Sequence, residues 1–72
     1  MKYIKMTYAQ IENMVARRDG YDDVTEWKKD MGDMYTSIYD LVDVDNMGFS
    51  KSGARWYTFE DDRGRWCVWY RY

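Results

Sequence analysis

Two aromatic runs near the C-terminus, "ARWYTF" and "RWCVWYRY", constrain this chain more than any other feature. Aromatic and β-branched residues favour the pleated, half-buried surface of a strand. The "DDRG" between them ends on glycine, which reaches left-handed turn conformations without steric penalty. The pattern predicts an antiparallel hairpin from Ala54 onward. Pairing Glu60 with Arg65 across a four-residue loop sets a register. One face then carries Phe59 opposite Trp66, Tyr57 opposite Val68 and Arg55 opposite Tyr70. The other carries Glu60 opposite Arg65, Thr58 opposite Cys67, Trp56 opposite Trp69 and Ala54 opposite Arg71. The Glu–Arg and Trp–Trp pairs favour this register, and a slip of one residue breaks both.

A hairpin must be covered to be stable, and 72 residues allow one small domain, 1–72, to do it. A chain of this size buries only about 60% of its unfolded surface. Cys67 is the single cysteine, so no internal disulfide can form, and with no histidine a structural zinc is not expected. Fourteen aromatics (four Trp, eight Tyr, two Phe) are what remains to build the core.

The cover comes from the N-terminal half. Thr7 and Gln10 form a capping-box pair, Met6 and Ile11 a hydrophobic staple, and "ARRDG" ends on a glycine suited to a helix C-terminus. Helix 1 is therefore predicted over about 8–18, with Tyr8, Ile11, Met14 and Val15 on its apolar stripe. Residues 2–6, where Ile4 and Met6 alternate with lysines, read as a short strand. A second helix begins near Asp23, where D-x-x-E repeats the capping signature, and its apolar period runs from Val24 to Val42. Gly32 interrupts it, and Asp33 can cap a second segment if the helix splits there. "DVDNMGFSKSG" reads as a loop. The fold class is α+β: two helices packed on a C-terminal hairpin, with room for a short N-terminal third strand.

Motifs that carry chemistry fail on inspection. The C-terminal strand matches an RNA-binding RNP1 pattern at Arg63, Gly64, Val68 and Tyr70, but Arg65 and Cys67 stand where the stacking aromatics belong. The loop from Asp43 begins like a calcium loop, yet Met47 and Ala54 occupy ligand positions. Gly48 and Gly53 have phosphate-loop spacing, but Ala54-Arg55 replaces the Lys-Ser/Thr. Cys67 has no imidazole partner to make it a thiolate. No catalytic residue, cofactor or metal is expected.

Charge is distributed unevenly. Residues 19–45 carry nine acids against Lys28 and Lys29, whereas residues 49–72 carry a net +2. Glu26, Asp30, Asp33 and Asp40 fall on one side of helix 2, and Asp22 and Asp23 prolong the row. Such a stripe can imitate the phosphates of a nucleic acid and enter a basic groove on a larger protein, or simply be a solvated face. With Phe59, Trp66, Tyr57 and Val68 turned to the helices, Trp56 and Trp69 face outward between Arg65 and Arg71, the composition of an interface hot spot.

These features predict a non-catalytic interaction protein that occludes a surface of a larger partner, itself a nucleic-acid-binding protein or complex if the acidic stripe is the contact. The partner-binding residues would be Trp56, Trp69, Arg65, Arg71, Glu26, Asp30, Asp33 and Asp40. Two alternatives stay open: a single-stranded nucleic-acid module that stacks bases on the hairpin, and a protein that self-associates into a homodimer through its tryptophans. No apolar run approaches the ~20 residues of a membrane span, and the free cysteine suits the reducing cytoplasm. In size, acidity, aromatic density and lack of histidine chemistry, the chain resembles the small stand-alone inhibitors that phages and mobile elements make against bacterial defence machinery. Anti-CRISPR proteins are among these. The resemblance implies inhibition by occlusion in a bacterial or phage-infected cell.

Overall fold

The computed structural model describes residues 2–31, 34, 35 and 37–72. Among these, the elements run β1 (Ile4–Lys5), α1 (Tyr8–Arg18), α2 (Val24–Met31), α3 (Ile38–Leu41), β2 (Asn46–Phe49), β3 (Arg55–Glu60) and β4 (Trp66–Arg71). The strands form one mixed sheet in the order β1-β4-β3-β2. β1 lies parallel to β4, and the other pairs are antiparallel. The α+β class is as the sequence predicts, with one more helix and one more strand.

Helix α1 has its predicted limits because its signals are local. The Thr7 N–H donates to Gln10 Oε1 at 2.9 Å and the Gln10 N–H to Thr7 Oγ1 at 3.1 Å, closing the capping box. At the other end Gly20 turns left-handed at φ 90°, and the Tyr21 and Gly20 N–H groups donate to the Ala16 and Arg17 carbonyls. That is a Schellman closure.

The long second helix is a correction. α2 stops at Met31, and a separate one-turn helix, α3, begins at Ile38. Asp40 accepts the Ser37 N–H at 3.1 Å, so α3 carries its own N-terminal cap and is not a continuation of α2. Arg18 Nη1 donates to the Leu41 carbonyl at 3.2 Å, satisfying the other end. Gly32 and Asp33, on which the predicted split and cap depended, lie outside the described residues.

The hairpin register is the second correction. The Asp61 N–H donates to the Arg65 carbonyl at 2.9 Å, so the loop proper is Asp62–Gly64, three residues instead of four. Gly64 takes φ 77° at the third position, the usual device of a three-residue hairpin loop. Asp61 drives this choice: its carboxylate accepts the Arg63 and Arg65 N–H groups at 2.9 and 2.8 Å and Arg65 Nε at 2.7 Å. Glu60 therefore pairs with Trp66, Phe59 with Cys67, Tyr57 with Trp69 and Trp56 with Tyr70. A shift of one residue reverses the faces of β4.

The third correction is β2, read from sequence as loop. Gly48 breaks its strand pattern, but opposite Trp56 a glycine leaves space for the indole. A Cβ at position 48 would lie 2.5 Å from Trp56 Cζ2.

The three helices of the described residues pack on one side of the sheet. Ile11, Met14, Val15, Trp27, Ile38 and Leu41 meet Tyr57, Phe59 and Cys67, with Trp69 packed against the cluster. The Cα envelope measures 37 × 23 × 15 Å, and its shortest dimension suits two layers about 10 Å apart.

Candidate interaction surface

The opposite side of the sheet carries the residues of the other parity. Thr58 and Val68 form its centre, with Trp56, Trp66 and Tyr70 around them. Tyr3 reaches in from the strand edge, edge-on to Trp66 at 6.4 Å between ring centroids. Lys5 Nζ lies over the Tyr70 ring at 5.2 Å. Thr58 and Val68 are 4% and 8% exposed although neither belongs to the helix-side cluster; they lie deep among the surrounding rings. Trp56, Trp66 and Tyr70 stay half-buried, and Tyr3 is exposed. This outer face is four strands wide, about 19 Å, and reaches about 20 Å in length only along the six-residue β3 and β4, its edge strands being shorter.

Trp56 and Tyr70 are cross-strand partners whose rings diverge. The indole lies across Gly48, and the tyrosine leans toward Lys5 and stacks on Tyr72 at 6.3 Å. Between them opens a slot of about 340 Å³, floored by Thr58 and Val68 and lined further by Tyr3.

The residues singled out from sequence are dispersed. Trp56 lies on the outer face, whereas Trp69 lies on the helix side, stacked on Tyr57 at 5.4 Å and tilted against Tyr8 at 5.1 Å. The expected outward Trp56/Trp69 pair does not form, because the three-residue loop gives the two tryptophans opposite parity. For the same reason Trp66 and Val68, expected in the core, stand on the outer face. Arg65 is held at the loop by Asp61. Arg71 is paired with Arg55 and lines a hollow beside Tyr8 and Trp69 on the helix side.

The acidic stripe is divided as well. Glu26 and Asp30 are exposed on α2, where Asp30 accepts the Tyr21 hydroxyl at 3.2 Å. Asp40 belongs to α3, and Asp33 lies outside the described residues. With α2 and α3 separate, the helical spacing that aligned these acids no longer connects them.

Two carboxylates missed in the sequence organise the scaffold. Asp19, at the end of α1, accepts Trp27 Nε1 and the Tyr35 hydroxyl, each at 2.9 Å. Burial pushes its carboxyl up, but those two bonds and the Arg18 charge outweigh it and hold it below the usual range. Bonding to Asp19, with burial added, raises the Tyr35 hydroxyl. At Asp61 burial again acts upward and the Arg65 and Arg63 donors prevail, so that carboxyl is also held low. The readable signal for Asp61 was an Asx turn: an aspartate opening a loop whose N–H two residues on it can capture. Asp19 had no local signal, since Tyr35 lies sixteen residues away.

Cys67 points to the helix side, is fully buried and donates to the Arg65 carbonyl at 3.5 Å. Burial, reinforced by the Asp61 charge, raises its thiol, so it is no ready nucleophile. Among the described residues no three His, Cys, Asp or Glu side chains come together to hold a metal ion. No helix of these residues is long and apolar enough to cross a membrane.

Fold and surface together define a small two-layer α+β protein in which one face of the sheet is aromatic and carries no helix among the described residues. No protein-family model, curated protein or solved structure matches the chain.

Proposed function

We propose that this chain is a non-catalytic cytoplasmic interaction protein that docks a larger protein on the outer face of its sheet. The observation that supports this is the gathering of Tyr3, Trp56, Trp66 and Tyr70 on the side of the sheet opposite the helices. Tryptophan and tyrosine dominate interface hot spots because they bury large, rigid, amphipathic area with little loss of freedom. Bound there, the protein covers whatever working surface its partner presents, and inhibition by occlusion follows without chemistry.

Base stacking is the competing use of such a face, but it needs cations that track the phosphates. Among the described residues of this face Lys5 is the cation, already over Tyr70, and Glu60, paired with Trp66, adds a negative charge to the same face. The arginines expected beside the tryptophans are turned elsewhere. Affinity capture from nuclease-treated lysate tests the reading. Trp56→Ala and Tyr70→Ala should each lose the captured protein, and Asp30→Lys on α2 should keep it. Loss with Asp30→Lys and retention with both aromatic variants would move the interface to the helices and reject the proposal.

A further inference from the structure

Resting on that reading, we infer that the segment bound by the outer face is a short proline-rich stretch in polyproline II conformation. Size limits the occupant first. Strands of two, four, six and six residues give a face of roughly 290 Å² at standard spacings, well under half of the ~800 Å² that each partner contributes to a standard stable interface. A second copy docked there would fall short, whereas six residues of polyproline II, at 3.1 Å each, span about 19 Å and match the face.

Shape and polarity agree. The slot between Trp56 and Tyr70 has ring walls and a small apolar floor, Thr58 and Val68, into which a pyrrolidine ring fits between aromatic ridges. The Trp56 and Trp66 indole N–H groups donate to no described residue, and neither is a buried orphan, so both are available at the surface. The Thr58 hydroxyl is already committed to the Asn46 carbonyl at 3.3 Å. The surface thus offers N–H donors around an apolar floor. A proline-rich chain is the complement, rich in carbonyl acceptors and poor in N–H groups.

Charge points the same way: among the described residues Lys5 and Glu60 are the charges on the face, and their opposite signs leave it no net charge to hold a charged ligand. An added β-strand is a poorer occupant. β1 is two residues long, and the Met47 N–H on the other edge is already taken by Asn46 Oδ1 at 2.9 Å.

The test is an NMR titration of the full ¹⁵N-labelled chain with a capped polyproline decamer. Saturable shifts of the Trp56 indole and of the Thr58, Val68 and Tyr70 amides are expected, with the Trp27 indole unmoved. Trp56→Ala should weaken binding about 30-fold, the size of a hot-spot loss. No shift at millimolar peptide overturns the inference. So does oligo(dT) moving the same signals with an affinity that falls as salt rises, or a change of those signals with protein concentration alone. If the peptide fails while Trp56→Ala still loses the captured protein, only the polyproline assignment falls. If capture is also indifferent to Trp56, the docking reading falls with it.

Discussion

Asp61→Asn isolates the contact that sets the hairpin register. The carboxylate is 3% exposed and accepts three N–H donors at 2.7–2.9 Å. Asparagine keeps one acceptor oxygen for the two backbone donors but loses the charge that strengthens those bonds. It also turns an NH₂ toward Arg65 Nε. Bonds to charged groups contribute about 1.5–3 kcal/mol, and the Arg65 side chain, 55% exposed, adds little through its screened ion pair. The expected loss is about 1.5–3 kcal/mol, a large share of the roughly 4–11 kcal/mol typical of a domain this size. At about 4–8 °C per kcal/mol, Tm should fall by roughly 6–24 °C.

The pH dependence makes the test specific. Asp61 titrates below its unfolded value, so its contribution is complete above about pH 5 and is lost as pH falls through the folded value. Asparagine does not titrate. The gap between wild type and variant should therefore be widest near neutrality and close in acid, while Asp19, present in both, cancels. Urea unfolding followed by tryptophan fluorescence at neutral and acid pH measures it. A gap independent of pH, or none at neutrality, would refute the role assigned to Asp61.

Two further outcomes follow from the packing. Trp27→Phe removes a donor to Asp19 and part of a ring that is 1% exposed; it should cost about 2–4 kcal/mol, and Tyr35→Phe about 1 kcal/mol. A double-mutant cycle by denaturant titration should show coupling through the shared carboxylate, whereas simple additivity would deny that they act through it. Gly48→Ala puts a methyl 2.5 Å from the end of the Trp56 ring. Because that ring is half-exposed it should swing aside at about 1 kcal/mol, the low end of overpacking, and its indole NMR signal should move. An unchanged Trp56 signal would mean that the indole does not lie across Gly48.

How far the sequence was legible depended on the range of each signal. Helix α1 was readable to the residue because its cap and its closure join groups three to five positions apart. The outer face was half readable: aromatics on both sides of the hairpin were plain, and Trp56 was correctly expected to face out. Favourable Glu–Arg and Trp–Trp pairs argued for the wrong register, because each pair contributes only about 0.2–1 kcal/mol. The three donors on Asp61 outweigh them. The acidic row failed for a different reason, as its helical spacing assumed a continuity that α2 and α3 do not have.

By itself, then, the sequence determined the capped first helix, the aromatic strands and the α+β class, all of which rest on local hydrogen bonds and side-chain periodicity. Tertiary structure decided the rest. Asp19 ties Trp27 and Tyr35 to the end of α1. Trp56 fills the space over Gly48, and β2 becomes a strand there. The side taken by the helices decided which aromatics became core and which became surface. Strand parity makes that last outcome all-or-none: one residue of loop length exchanges the two faces of β4, and with them Trp69 for Trp66 and Tyr70.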